Sequence, residues 1–207
     1  MLDELPWLKN KKGQQVLTAM LLAGVILAVS TSAYLWGTEI LEKSRDQREF
    51  QRMEKLIRDI NENIKEIARR GGRYEMEIDL PGDAELEIED GPLGSLDNVT
   101  LSFQTTGRLM AEGRDITIVG TPGTEDPITR DPDVIVGRAE GRDNHYNIEF
   151  NLYYKNMTVE GEPDNRIGID STGRNSIRGE RTTMIIERSE ERDINGFTVN
   201  VVELRIL

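Results

Sequence analysis

Apolar and polar positions divide this chain into three regimes. Val16 to Trp36 form 21 consecutive residues without a formal charge. A helix of that length crosses the ~30 Å hydrocarbon core of a bilayer. From Thr38 to Arg70 there is no glycine or proline, and good helix formers dominate, so the helix is expected to continue. Here Phe50, Met53, Ile57, Ile60, Ile64 and Ile67 recur at spacings of 3, 4, 3, 4 and 3, an a/d heptad seam that Leu56 broadens. Mixed charges fill the other positions, with Glu54 set four residues before Arg58. Gly71-Gly72, behind Arg69 and Arg70, reads as the C-cap. One helix from Gln14 to Arg70 would be about 85 Å long.

After Gly72 the period becomes two. Tyr74, Met76, Ile78 and Leu80 alternate with charged residues, and Leu86 and Ile88 resume the pattern after the turn Pro81-Gly82-Asp83. Val99, Leu101 and Phe103 predict another strand. Shorter ones follow at Ile116 and Ile118 and at Val134 and Val136. Tyr146, Ile148, Phe150, Leu152 and Tyr154 make the longest run. Met184 and Ile186 lead to Asn195-Gly196, a hairpin signal, and the chain returns through Phe197, Val199 and Val201. The apolar phase then shifts to Val202, Leu204 and Ile206, as a β-bulge would cause. Eight to ten strands with one charged face predict an antiparallel sandwich, solvated outside. Two stretches, Thr121 to Asp133 and Gly161 to Arg181, read as long loops rich in Gly, Asp, Asn and Pro.

Composition narrows the function classes. Net charge is −12 over 207 residues, which repels phosphate backbones and argues against nucleic-acid binding. Aromatics are 5% of the chain, so Ile, Val and Leu must build the core. Without cysteine there is no disulfide, thiol catalysis or thiolate metal site. The one histidine, His145, cannot supply a typical zinc site without cysteines, and no nucleophile-elbow, P-loop or dinucleotide pattern is present. Carboxylate pairs such as Glu85 with Glu87 read as solvated surface rather than acid–base machinery. Oxygen ligands for Ca²⁺ occur in both loops (Asp126, Asp131 and Asp133; Asp164, Asn165 and Asp170), without EF-hand spacing. No enzyme, no cofactor and no small-molecule substrate is therefore expected, with Ca²⁺ the open alternative. Asn98-Val99-Thr100 and Asn156-Met157-Thr158 are acceptor sequons for glycosylation.

Small residues near the end of the apolar run (Ser30, Ser32, Ala33) would suit signal-peptidase cleavage, but the run is long for a signal peptide. Positive charge is nearly balanced across it, with Lys9, Lys11 and Lys12 before and Lys43, Arg45 and Arg48 after. The short N-terminal segment is placed in the cytoplasm and the large acidic domain outside.

Lys11-Lys12-Gly13-Gln14, immediately before the apolar run, resembles the leader of archaeal prepilins and related proteins with class III signal peptides. That resemblance implies a cytoplasmic-side cut between Gly13 and Gln14 that leaves the apolar helix on the mature protein. It covers the architecture too, a long N-terminal helix followed by a β domain. A plain signal anchor with a basic flank would carry the same short motif. The chain departs from the pattern at Thr18, where bacterial pilins have glutamate, and in the charge that begins at Glu39. Charge so early points away from a major pilin and toward a minor or accessory role. The expected organisation is a leader (1–13), a transmembrane helix (14–37), an amphipathic heptad stalk helix (38–72) and an extracellular antiparallel β-sandwich (73–207), α+β overall. The expected function is a pilin-like subunit that associates with copies of itself or with similar subunits. The alternative is an anchored accessory protein whose sandwich binds an S-layer or a motor filament. For the seam two roles are open: packing on the chain's own β domain, or pairing with the same stripe in other subunits.

Overall fold

The computed structural model describes residues 11–89, 97–119, 135–142, 145–154, 158–159, 162–194 and 197–207. They form one helix, α1 (Lys11–Arg70), and eleven strands. These are β1 (Arg73–Asp79), β2 (Glu85–Glu89), β3 (Asn98–Thr105), β4 (Ile116–Val119), β5 (Ile135–Arg142), β6 (His145–Tyr153), β7 (Thr158–Val159), β8 (Glu162–Gly173), β9 (Ser176–Arg178), β10 (Arg181–Ile194) and β11 (Phe197–Ile206). The chain divides into two compact units, Met1–Arg45 and Asp46–Leu207. The segment read from sequence as a stalk from 38 to 72 therefore divides at Asp46, and its later part folds with the strands.

In the first unit residues 14–36 of the helix carry no charge and are exposed, with Met20 and Trp36 both 69% exposed. Thr18 and Thr31 donate their hydroxyls to the carbonyls of Gln14 and Leu27 at 2.9 and 2.8 Å. Their polar atoms are thus satisfied inside the helix, as a hydrocarbon surrounding requires. Charge begins with the exposed pair Glu39–Lys43, 2.7 Å apart.

In the second unit the strands form two sheets, ordered β1-β10-β11-β8-β7 and β4-β5-β6-β3-β2-β9. The pairings are antiparallel except for β11 with β8, which run parallel from Thr198↔Asn165 to Ile206↔Gly173. Period-two alternation explains the register. Leu86, Leu101 and Phe150 lie opposite one another across β2, β3 and β6 and are fully buried. Met184 and Ile186 of β10 do the same against Ile206 and Leu204 of β11. Residues from both sheets join one buried cluster with the helix stripe, in which Met53, Ile57, Ile60 and Ile64 are 0% exposed and Ile67 7%. Each fully buried isoleucine contributes roughly 2–3 kcal/mol. The heptad seam from Met53 to Ile67 is therefore buried against the chain's own strands.

Two sequence readings need correction. Gly161 to Arg181 is no open loop, because it contains β8 and β9. The propensity signal there is thin, with only Ile167, Ile169 and Ile177 apolar, and pairing to β11 and β2 overrides it. The bulge exists, but its extra residue is in β10: the β10–β11 register slips between Arg188 and Glu190. β11 runs on unbroken, burying Val199 and Val201 on one face and Val202, Leu204 and Ile206 on the other. Between β9 and β10, Gly179 (φ +57°) passes so near the Pro81-Gly82 turn that a Cβ would stand 2.1 Å from the Gly82 carbonyl oxygen. Only glycine fits that crossing.

Candidate membrane anchor and binding surfaces

The sequence-predicted processing residues Gly13 and Gln14 lie in the first turns of α1, and Gln14 is exposed. After them runs the one described helix apolar and long enough to cross a membrane, with a mean hydropathy of 2.1 over its most apolar window and none of that window buried. Ala19, Ala23 and Gly24 are exposed along it, and a Cβ placed on Gly24 would meet nothing within 4 Å.

Residues 46–70 of the helix are fastened to the strands by contacts that the heptad pattern did not reveal. Asp46 is 9% exposed, and its Oδ2 accepts from the Thr106 N–H (2.9 Å), the Thr106 hydroxyl (2.6 Å) and the Gly107 N–H (2.8 Å). Its sequence signal was position: Asp46 stands four residues before Phe50, where the apolar stripe would otherwise continue. Phe50 then places its ring 5.5 Å from Phe150 and 6.3 Å from Phe103, a three-ring cluster worth about 1 kcal/mol per pair beyond burial. Arg52 donates to the Asp79 carbonyl at 2.9 Å, Arg58 to the Ile118 carbonyl at 3.1 Å, and the buried Tyr154 hydroxyl to Asn61 Oδ1 at 3.4 Å. Asp46→Ala leaves two backbone donors of the β3 exit without their carboxylate. It is expected to cost about 2–4 kcal/mol, read as a fall in Tm of the full chain. Asp46→Asn, which keeps an acceptor oxygen, should fall between.

Two concave surfaces flank this assembly. One is an apolar cleft of about 610 Å³ lined by Phe50, Leu109, Met110, Ile116 and Ile118, with Glu54 and Arg58 at its side. The other is a polar groove of about 420 Å³ on the outer face of β2, β3 and β6, carrying Glu85, Glu87, Glu89 and Glu149 among amides and hydroxyls. The outer face of the other sheet has a different electrostatic character. There Glu77 pairs with Arg181, Glu75 with Arg73 and Glu203 with Arg205. The Arg181 guanidinium, hydrogen-bonded to Glu77, holds its carboxyl below the usual range. The Thr172 hydroxyl and Arg205 do the same for Glu203.

The remaining sequence candidates are scattered. Asn98 is only 7% exposed, with its Nδ2 donating to Thr100 and Asn151, so the folded chain does not present this sequon. Asn156 and the acidic stretch with Asp126, Asp131 and Asp133 lie outside the described residues. Asp164, Asn165 and Asp170 belong to strand β8. Asp170 lies 3.7 Å from Arg192. Among the described residues no group of three His, Asp or Glu side chains is placed to hold a metal ion. His145 is exposed at the start of β6, and Glu85 and Glu87 share the outer face of β2.

No known protein family, curated protein or solved structure matches this chain.

Proposed function

We propose that the chain is a pilin-like subunit, cut between Gly13 and Gln14, whose apolar helix holds it in the membrane and then bundles with other helices in a surface filament. In this reading the N-terminus is cytoplasmic, the strands close as a β-sandwich outside the cell, and the protein works by association rather than catalysis. The observation that carries it is the division of labour along α1. Residues 46–70 spend their apolar stripe inside the strand unit, while residues 16–41 keep theirs exposed all round. Association through the helix is then left to the first half, directly behind the basic-Gly-Gln junction. N-terminal sequencing of protein extracted from native membranes tests this, with Gln14 the expected first residue. A native chain beginning at Met1 or Leu2 would assign the helix to a simple signal anchor.

The second reading is an anchored accessory protein whose β unit binds an S-layer or a motor filament. The early onset of charge at Glu39, with its exposed partner Lys43, favours it, since a filament core needs a longer apolar helix.

A further inference from the structure

The apolar cleft between α1 and β4 joins a hydrocarbon wall to one uncommitted cation. Phe50, Leu109, Ile116 and Ile118 line it half-buried, and Met110 lines it buried. In β5 the nearby residue is Gly137, where a Cβ would stand 2.6 Å from Met110 Cε and 2.8 Å from Ile118 Cδ1. The missing side chain is the room into which those two settle. Among the described residues that line the cleft none has a hydroxyl or amide side chain. A sugar or nucleotide body would lose its hydrogen bonds to water there without replacement. An extended peptide fares little better, because Ile118, where the β4–β5 register slips, already gives its carbonyl to Arg58. A hydrocarbon chain needs no such partner. The volume of about 610 Å³ falls within the roughly 300–1,000 Å³ of small-molecule sites.

Three charged residues line the cleft, and two of them are committed to each other: Arg58 and Glu54 pair at 2.5 Å. The third, Arg108, is exposed and has no ion pair among the described residues. Glu112, in the same loop, accepts from the Gly141 N–H at 3.2 Å and does not line the cleft. A free guanidinium beside an apolar wall, in a chain of net charge −12, suits an amphiphile with an anionic head. We propose that the cleft binds a long-chain carboxylate, with its hydrocarbon chain along Phe50, Ile116 and Ile118 and its head on the fork of Arg108. One free cation matches one negative charge, whereas a phosphate monoester would bring a second toward Glu54. This binding is independent of the association proposed for the helix.

Photolabelling of the full chain in nanodiscs of zwitterionic lipid tests the site. The probes are a diazirine-bearing palmitate analogue and the same chain ending in an alcohol. Peptide mapping by mass spectrometry should place carboxylate adducts within 50–58 and 108–118, saturable and displaced by oleate, with the alcohol about tenfold weaker. Arg108→Gln, at an exposed position, should lower carboxylate labelling to the level of the alcohol. Arg114→Gln removes the same charge from the same loop outside the cleft and should change labelling by no more than about twofold. Ile116→Trp, which fills the cleft, should block both probes. Adducts confined to residues 16–36, labelling of 108–118 that does not saturate, or equal behaviour of the two probes or of the two arginine variants would overturn the site. Stronger labelling by a chain ending in phosphate would overturn the carboxylate assignment.

Discussion

Replacing Ile60 and Ile64 together with aspartate is expected to abolish the folded state of the Asp46–Leu207 unit. Both side chains are 0% exposed, one helical turn apart, in the cluster that also takes residues from both sheets. Each substitution forfeits roughly 2–5 kcal/mol of packing and adds the cost of an unpaired buried carboxylate. Their sum reaches or exceeds the 5–15 kcal/mol that holds a domain together. The full chain in detergent should lose its cooperative thermal transition by circular dichroism, while the apolar half of the helix still contributes helical signal. Ile60→Val with Ile64→Val, each costing about 1 kcal/mol, should keep the transition at lower Tm. If the double aspartate variant kept its Tm and changed only its oligomeric state, the buried-stripe description would be wrong.

That result separates what was legible in the sequence from what was not. Periodicity located α1 and eight of the described strands, because each repeats a local pattern of apolar residues on one face. It could not choose the seam's partner, since an a/d stripe packs equally well on a second helix or on a sheet. β8 escaped for a related reason. Pro163, Asp164, Asn165, Gly168 and Gly173 weaken any local strand signal, and the strand exists through parallel pairing with β11, distant in sequence. The polar contacts were illegible as well. Asp46 reads locally as a surface helix residue, and only the return of Thr106 and Gly107 past it makes it a buried acceptor. Asn98 reads as a sequon, yet its neighbour across β3 and β6 turns it into part of the Asn151–Glu149 network.

If the proposed pilin-like reading holds, leucine at Ala23 and Gly24 should leave the single chain intact and abolish filament assembly. Both positions are exposed, and a Cβ on Gly24 meets no atom within 4 Å, so the substitutions strain nothing inside the chain. Gly→Leu also favours the helix by up to about 1 kcal/mol, and the span stays apolar and long enough to insert. Tm of the strand unit and membrane extraction should therefore match the parent. Association differs, because helices in an apolar surrounding gain contact only where small side chains let their backbones approach. Two leucines beside Ala19 widen that approach by the bulk of a side chain. Electron microscopy of surface preparations should show filaments in the parent and none in the variant. Filaments from both would move the packing contact away from this face. A parent without filaments containing this chain would leave the anchored accessory protein as the better account of the same exposed helix.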